Sequence, residues 1–179
     1  MKPADTAYNY LIDIEQKSRD CAKELPRQEM HKKNWTGVSF RISSVLCVTP
    51  LSEIFEVIRC PKVTEVPGAV KWLIGIMHLR GEIIPVMDVP GFLGYGVIKN
   101  YQKARVIVIE HEVGKAGMLI NQVMGLSHFQ EEKRRPPMSS LKPGFLPFIT
   151  GTFCTDDTTW NLFSLQKITT NPKFYQISI

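Results

Sequence analysis

The period of apolar and polar positions changes near residue 34. Over residues 5–33 the chain is polar, and Tyr10, Leu11, Ile14, Cys21, Ala22 and Leu25 fall on one helical stripe. Asp5 or Thr6 is a candidate N-cap and Leu25-Pro26 a candidate stop, so an amphipathic helix is predicted within an N-terminal extension, residues 1–33. From Trp35 onward the period is two. Val38-Ser39-Phe40-Arg41-Ile42 alternates, and Val45-Leu46-Cys47-Val48 returns across Ser43-Ser44 as a tight hairpin. Pro50 cannot donate to a ladder, which ends that second strand or puts it at an edge. Residues 52–57 read as a helical turn leading into a strand, and Pro61 and Pro67-Gly68 punctuate the stretch after it.

Farther along, Val106-Ile107-Val108-Ile109 is β-branched throughout and suits a buried strand. A turn at residues 112–115 leads to a returning strand at 116–120, and residues 123–129 form another. Residues 131–147 hold four prolines and the basic residues Lys133-Arg134-Arg135 and Lys142, and read as a surface loop. Residues 148–153 and 160–163 then make a final hairpin, with a short C-terminal helix after Ser164. Many short strands with Gly and Pro between them, and no regular alternation with long helices, indicate an all-β barrel or sandwich over residues 34–179.

Composition narrows the setting. The chain has 179 residues, 44% apolar and 22% charged, which is that of a globular protein with a core of ordinary size. No signal-like run opens it and no stretch approaches the ~18 apolar residues of a membrane helix, so a cytoplasmic protein without membrane insertion is expected. Cys21, Cys47, Cys60 and Cys154 are far apart and show neither zinc nor disulfide spacing. Cys47, inside an apolar run, reads as a core residue. The net charge of +5 raises a nucleic-acid-binding small barrel as an alternative. Its basic residues are scattered, however, and not interleaved with aromatics as a single-strand surface requires.

Catalytic chemistry finds little material. His31, His78, His111 and His128 share no metal-ligand spacing, and none accompanies a Ser or Cys nucleophile elbow. Glu110-His111-Glu112 alternates across a strand and cannot converge on one ion. Gly91-Phe92-Leu93-Gly94-Tyr95-Gly96 lacks both the spacing and the lysine of a phosphate loop. The expectation is a non-enzymatic chain with no cofactor.

The informative segment is residues 72–88, WLIGIMHLRGEIIPVMD. Gly75 permits a bulge or a close approach, and Leu79-Arg80-Gly81 sets one charge in an apolar neighbourhood before a turn-competent glycine. An arginine held between apolar strands needs a partner, and Glu56 from the preceding strand is the candidate. Two readings stay open for that pair: an internal latch, or a surface presented to a partner.

These residues strongly resemble the CheW-like domain. Pro67, Trp72, Gly75, Ile76, Leu79, Arg80, Gly81, Pro85, Val86 and Asp88 carry the likeness, which extends to Ile54-Phe55-Glu56-Val57, residues 105–109, residues 116–120 and Phe148-Ile149-Thr150-Gly151. Residues 35–169 are covered. Within the family the chain is similar to members serving type IV pilus twitching motility, in Trp35-Thr36-Gly37 and Asn171-Pro172-Lys173-Phe174 among others. The resemblance implies two packed SH3-like five-stranded β-barrels with a groove between them. It also implies an adaptor joining the cytoplasmic tip of a methyl-accepting chemoreceptor to the regulatory domain of a CheA-type histidine kinase. Ile54, Glu56, His78, Leu79, Arg80 and Gly81 would face the receptor. Two positions depart from the family: His78 stands where Asn is usual, and Asn121 where Asp is common. His78 would make the contact pH-sensitive or alter its specificity.

Overall fold

The computed structural model describes residues 15–17, 34–138, 141–155 and 158–176. Contacts divide the chain into two units, 1–32 and 33–179. Of the first, only residues 15–17 are described, as exposed helix; the stripe read over Tyr10 to Leu25 otherwise lies outside the described residues.

The described residues of the second unit form eleven strands in chain order. They are β1 (Asn34–Ile42), β2 (Val45–Pro50), β3 (Glu56–Arg59), β4 (Leu73–Leu79), β5 (Glu82–Asp88) and β6 (Arg105–His111). After these come β7 (Gly114–Ile120), β8 (Gln122–Gln130), β9 (Arg134–Arg135), β10 (Ile149–Thr155) and β11 (Thr158–Phe163). They build two sheets, ordered β8-β1-β2-β11-β10-β9 and β3-β6-β7-β5-β4. The second has the expected five strands. The first has six, because the two-residue β9 pairs with β10 along its edge.

Both sheets follow one plan. In the first, hairpin β1-β2 joins hairpin β10-β11 through the parallel pair β2–β11, and β9 edges β10. In the second, hairpin β4-β5 joins hairpin β6-β7 through the parallel pair β5–β7, and β3 edges β6. Even β8, which flanks β1, has a counterpart in the isolated bridge from Thr64 to Ile76 of β4. Consequently the two-residue turns Ser43-Ser44 and Arg80-Gly81 occupy the same place in the two sheets. Both begin in left-handed backbone, at φ 54 for Ser43 and 52 for Arg80, which matches the twist of paired strands.

The core explains the sequence pattern. Val106 and Val108 of β6 point into the second sheet with Met77, Ile84, Val86 and Leu119. Ile107 and Ile109 point the other way, into a larger cluster with Phe40, Ile42, Cys47 and Phe163 of the first sheet. A strand buried on both faces needs no polar alternation, so the unbroken β-branched run follows. A third cluster, Val48, Phe129, Phe153 and Leu162, fills the first sheet beside Trp35 and Trp160. The proline-rich run is not wholly a surface loop. It carries β9, and Phe145 is fully buried in the larger cluster with Phe148 against it. Most of its described residues are exposed, as its prolines suggest, and Phe145 is the buried anchor.

Candidate functional site

Strand β4 enters the site through Gly75, at φ 142, beside a register shift. A Cβ there would stand 2.1 Å from the Thr64 carbonyl oxygen, so the strand closes only on a glycine. Alternation then settles which side chains share a face. Met77 and Ile84 point into the second sheet, so Leu79 and Glu82 do as well. Ile58 packs on the same cluster and brings Glu56 to that side. A Cβ on Gly117 would meet Val106 and Met77, which puts Lys115 there too. Glu56, Arg80, Glu82 and Lys115 therefore meet at one open end of this sheet.

They form two ion pairs. Arg80 Nη2 donates to Glu56 Oε1 at 3.0 Å. Lys115 Nζ donates to the two carboxylate oxygens of Glu82 at 3.0 and 2.8 Å and lies 4.5 Å above the Phe55 ring. Glu56 Oε2 is buried and has no hydrogen-bond partner among the described residues.

The pairing of Arg80 with Glu56 is as the sequence indicates, but its setting is different. Arg80 is not held between apolar strands; it heads the β4–β5 turn with its side chain 70% exposed. Two residues suffice for that turn, so the charge is carried past the end of the apolar run. Gly81 follows at φ 88, where only glycine is relaxed, although open space surrounds it. Leu79 is half-buried against the inner cluster. His78 is exposed on the opposite face, across from Ile83, which is 62% exposed. Ile83 and Pro85 are exposed on that outer face, while Ile84 and Val86 are buried on the inner one. Ile54 packs against the larger cluster, and no described contact joins it to Arg80. Phe55, Glu82 and Lys115 escape the sequence reading. Glu82 directly follows the Leu-Arg-Gly run, but nothing local signals that a lysine near residue 115 will reach it.

A groove of about 590 Å³ opens on the outer face of this hairpin, lined by Trp72, Ile83, Pro85, Phe174 and Tyr175, with His111 and Lys115 among its polar residues. A hollow of about 300 Å³ lies among Glu53, Ile54, Phe55, Glu110, His111 and Gln166. Neither gathers a nucleophile with an aligned base. Cys47 is buried, and burial pushes its thiol up, away from a reactive thiolate. Asp88, the acid that closes the informative segment, accepts from the backbone N–H groups of Gly91 and Ile98 at 2.7 Å each. Burial raises its pKa while those two bonds oppose the rise. It shapes the chain after β5 and does not face solvent. Among the described residues, no group of three His, Cys, Asp or Glu is placed to hold a metal, and no helix is long and apolar enough to cross a membrane.

Comparison with known proteins agrees with this architecture. The CheW-like domain matches residues 36–173. Protein PilI of Pseudomonas aeruginosa is 31% identical over 179 residues, covering 100% of each chain. The chemotaxis protein CheW of Thermotoga maritima is 27% identical over 101 residues, 56% of this chain and 66% of that one. The crystal structure of the scaffolding protein TtCheW from Thermoanaerobacter tengcongensis superposes with a TM-score of 0.68 at 26% identity, covering 80% of this chain and 99% of that one. None of these likenesses supports a nucleic-acid-binding barrel, and none is to an enzyme family. The chain belongs to the CheW-like domain family, a family of chemotaxis-type scaffolds.

Proposed function

We propose that this protein is a non-catalytic adaptor that couples the cytoplasmic tip of a methyl-accepting chemoreceptor to the regulatory domain of a CheA-type histidine kinase, in control of type IV pilus twitching motility. The observation that carries the reading is the Arg80 turn. A short, closed hairpin projects a guanidinium that is 70% exposed and spends one described hydrogen bond on Glu56. Its remaining N–H donors suit a carboxylate on a partner, which arginine can grip with two parallel bonds. The receptor-facing set is Ile54, Glu56, His78, Leu79, Arg80 and Gly81. The likeness to PilI along the whole of both chains supports the link to pilus motility. The protein acts in the cytoplasm at membrane-associated receptor arrays, and residues 1–33 form a separate extension.

The test is a pull-down with a CheA-type kinase fragment and a chemoreceptor tip, using the full chain, Arg80→Ala and the chain lacking residues 1–33. The full chain captures both partners together. Folded Arg80→Ala loses the receptor. Undiminished capture of the receptor by that variant would show that this face is not the receptor surface.

A further inference from the structure

The Glu56–Arg80 pair is too weak to hold its own geometry. It consists of one hydrogen bond to an arginine that is 70% exposed, and such solvent-screened pairs contribute little. The two residues also come from separate segments, the start of β3 and the turn between β4 and β5. Each has a close chain neighbour tied to the same atom. Phe55 precedes Glu56, and Glu82 follows Gly81. Lys115 Nζ holds both oxygens of Glu82 at 3.0 and 2.8 Å and lies 4.5 Å over the Phe55 ring. Of the two cations, Lys115 is the more sheltered, its side chain 18% exposed against 70% for Arg80, although its partner Glu82 is 56% exposed. Phe55 is held at its backbone as well, donating to the Val108 carbonyl at 2.8 Å. Pinning Phe55 and Glu82 fixes where Glu56 and Arg80 begin.

We infer that Lys115 is the positioning residue of the Glu56–Arg80 face, clamping two chain segments so that a receptor meets a preorganised surface. The inference rests on the reading of that face as receptor-facing, and its test separates the two. The probe is a chemoreceptor cytoplasmic-tip fragment titrated calorimetrically into the full chain, with thermal unfolding run on each variant. Lys115→Met keeps the aliphatic stem and removes the charge, and it weakens binding roughly three- to tenfold while the chain stays folded. Lys115→Arg restores binding, because a guanidinium supplies both the ion pair and the cation–π contact. Combining Lys115→Met with Arg80→Ala binds no more weakly than Arg80→Ala alone, since the clamp acts only through that face. Wild-type affinity in folded Lys115→Met, beside weak binding by Arg80→Ala, overturns the inference. Fully additive losses in the double variant overturn it too. If Arg80→Ala itself binds like wild type, the receptor-facing reading fails first and the clamp falls with it. Should Lys115→Met not fold, Glu82→Gln replaces it under the same criteria, its carboxylate being 56% exposed.

Discussion

Asp88 closes the segment that identifies the family, and the structure gives it a supporting role that can be measured. Its two carboxylate oxygens each accept a backbone N–H at 2.7 Å, one from Gly91 three residues on and one from Ile98 ten residues on. Asp88→Asn leaves one oxygen and turns an amide nitrogen toward the other donor. A hydrogen bond to a charged acceptor contributes ~1.5–3 kcal/mol, and a buried N–H left unpaired costs about 1–3 kcal/mol. Against that, the neutral amide no longer has to be buried as an ion. The expected net loss is about 1–3 kcal/mol at neutral pH, or a fall in Tm of roughly 3–10 °C for a chain of this size. The pH dependence carries a second signature. Burial holds the folded pKa of Asp88 above its ordinary value, the Ile98 and Gly91 bonds opposing. The folded state therefore binds its proton more tightly than the unfolded chain. That stabilisation is present below the ordinary carboxylate pKa and is lost as pH rises through the folded value. The asparagine variant lacks this titration, so its deficit is widest below about pH 4 and narrows toward neutrality. Denaturant unfolding across that range is the assay. A variant of wild-type stability that no longer binds receptor would refute the reasoning and make Asp88 a contact residue.

Three further outcomes are expected from the same geometry. Arg80→Ala lowers stability by less than ~1 kcal/mol, because an exposed pair is all that is lost; cooperative unfolding in denaturant measures this, and a larger loss would make the arginine a structural latch. Gly75→Ala loses at least ~2 kcal/mol through overpacking and strained backbone, its Cβ being driven to 2.1 Å from the Thr64 oxygen; unchanged thermal unfolding would mean that the bulge relaxes freely. With a thiol-specific reagent, exposed Cys154 is modified in the native protein while Cys47 waits for unfolding; equal rates would contradict the packing of β2.

Strands are legible in the sequence where one period rules, as in β1, β2 and the β-branched β6. Their partners are not. The sequence reads as successive regions, yet β1 and β2 share a sheet with β8 to β11, and β3 to β7 form the other sheet between them. Pairings such as Asn161 with Cys47 are long-range and leave no local mark. The same blindness hides half of the candidate site. Glu56 can be matched to Arg80 because a charge among apolar residues needs a counter-charge. Lys115 and Glu82 both sit in polar surroundings, where a solvated side chain is the ordinary reading.

The repeated plan of the two sheets sets two equivalent turns side by side and shows how they differ in what satisfies them. Ser43 and Arg80 occupy matching turns with nearly the same left-handed backbone. At the first, the Ser43 N–H is taken by Asn121 Oδ1 at 2.6 Å, and the flanking Arg41 guanidinium is bonded to the Gln122 side chain. These bonds bind that turn to the start of β8. At the second, Arg80 extends a long cation into solvent, and its described bond goes to a carboxylate whose other oxygen is unpartnered among the described residues. One backbone solution thus serves two ends. Where neighbouring amides satisfy the turn it is structural, and where they are replaced by an exposed ion pair, donors remain for another molecule. Asn121, where the resemblance implies an acid, belongs to the first case. A neutral amide oxygen can accept from the Ser43 N–H as a carboxylate oxygen would, so the departure falls on a turn-supporting residue and leaves the Arg80 face untouched.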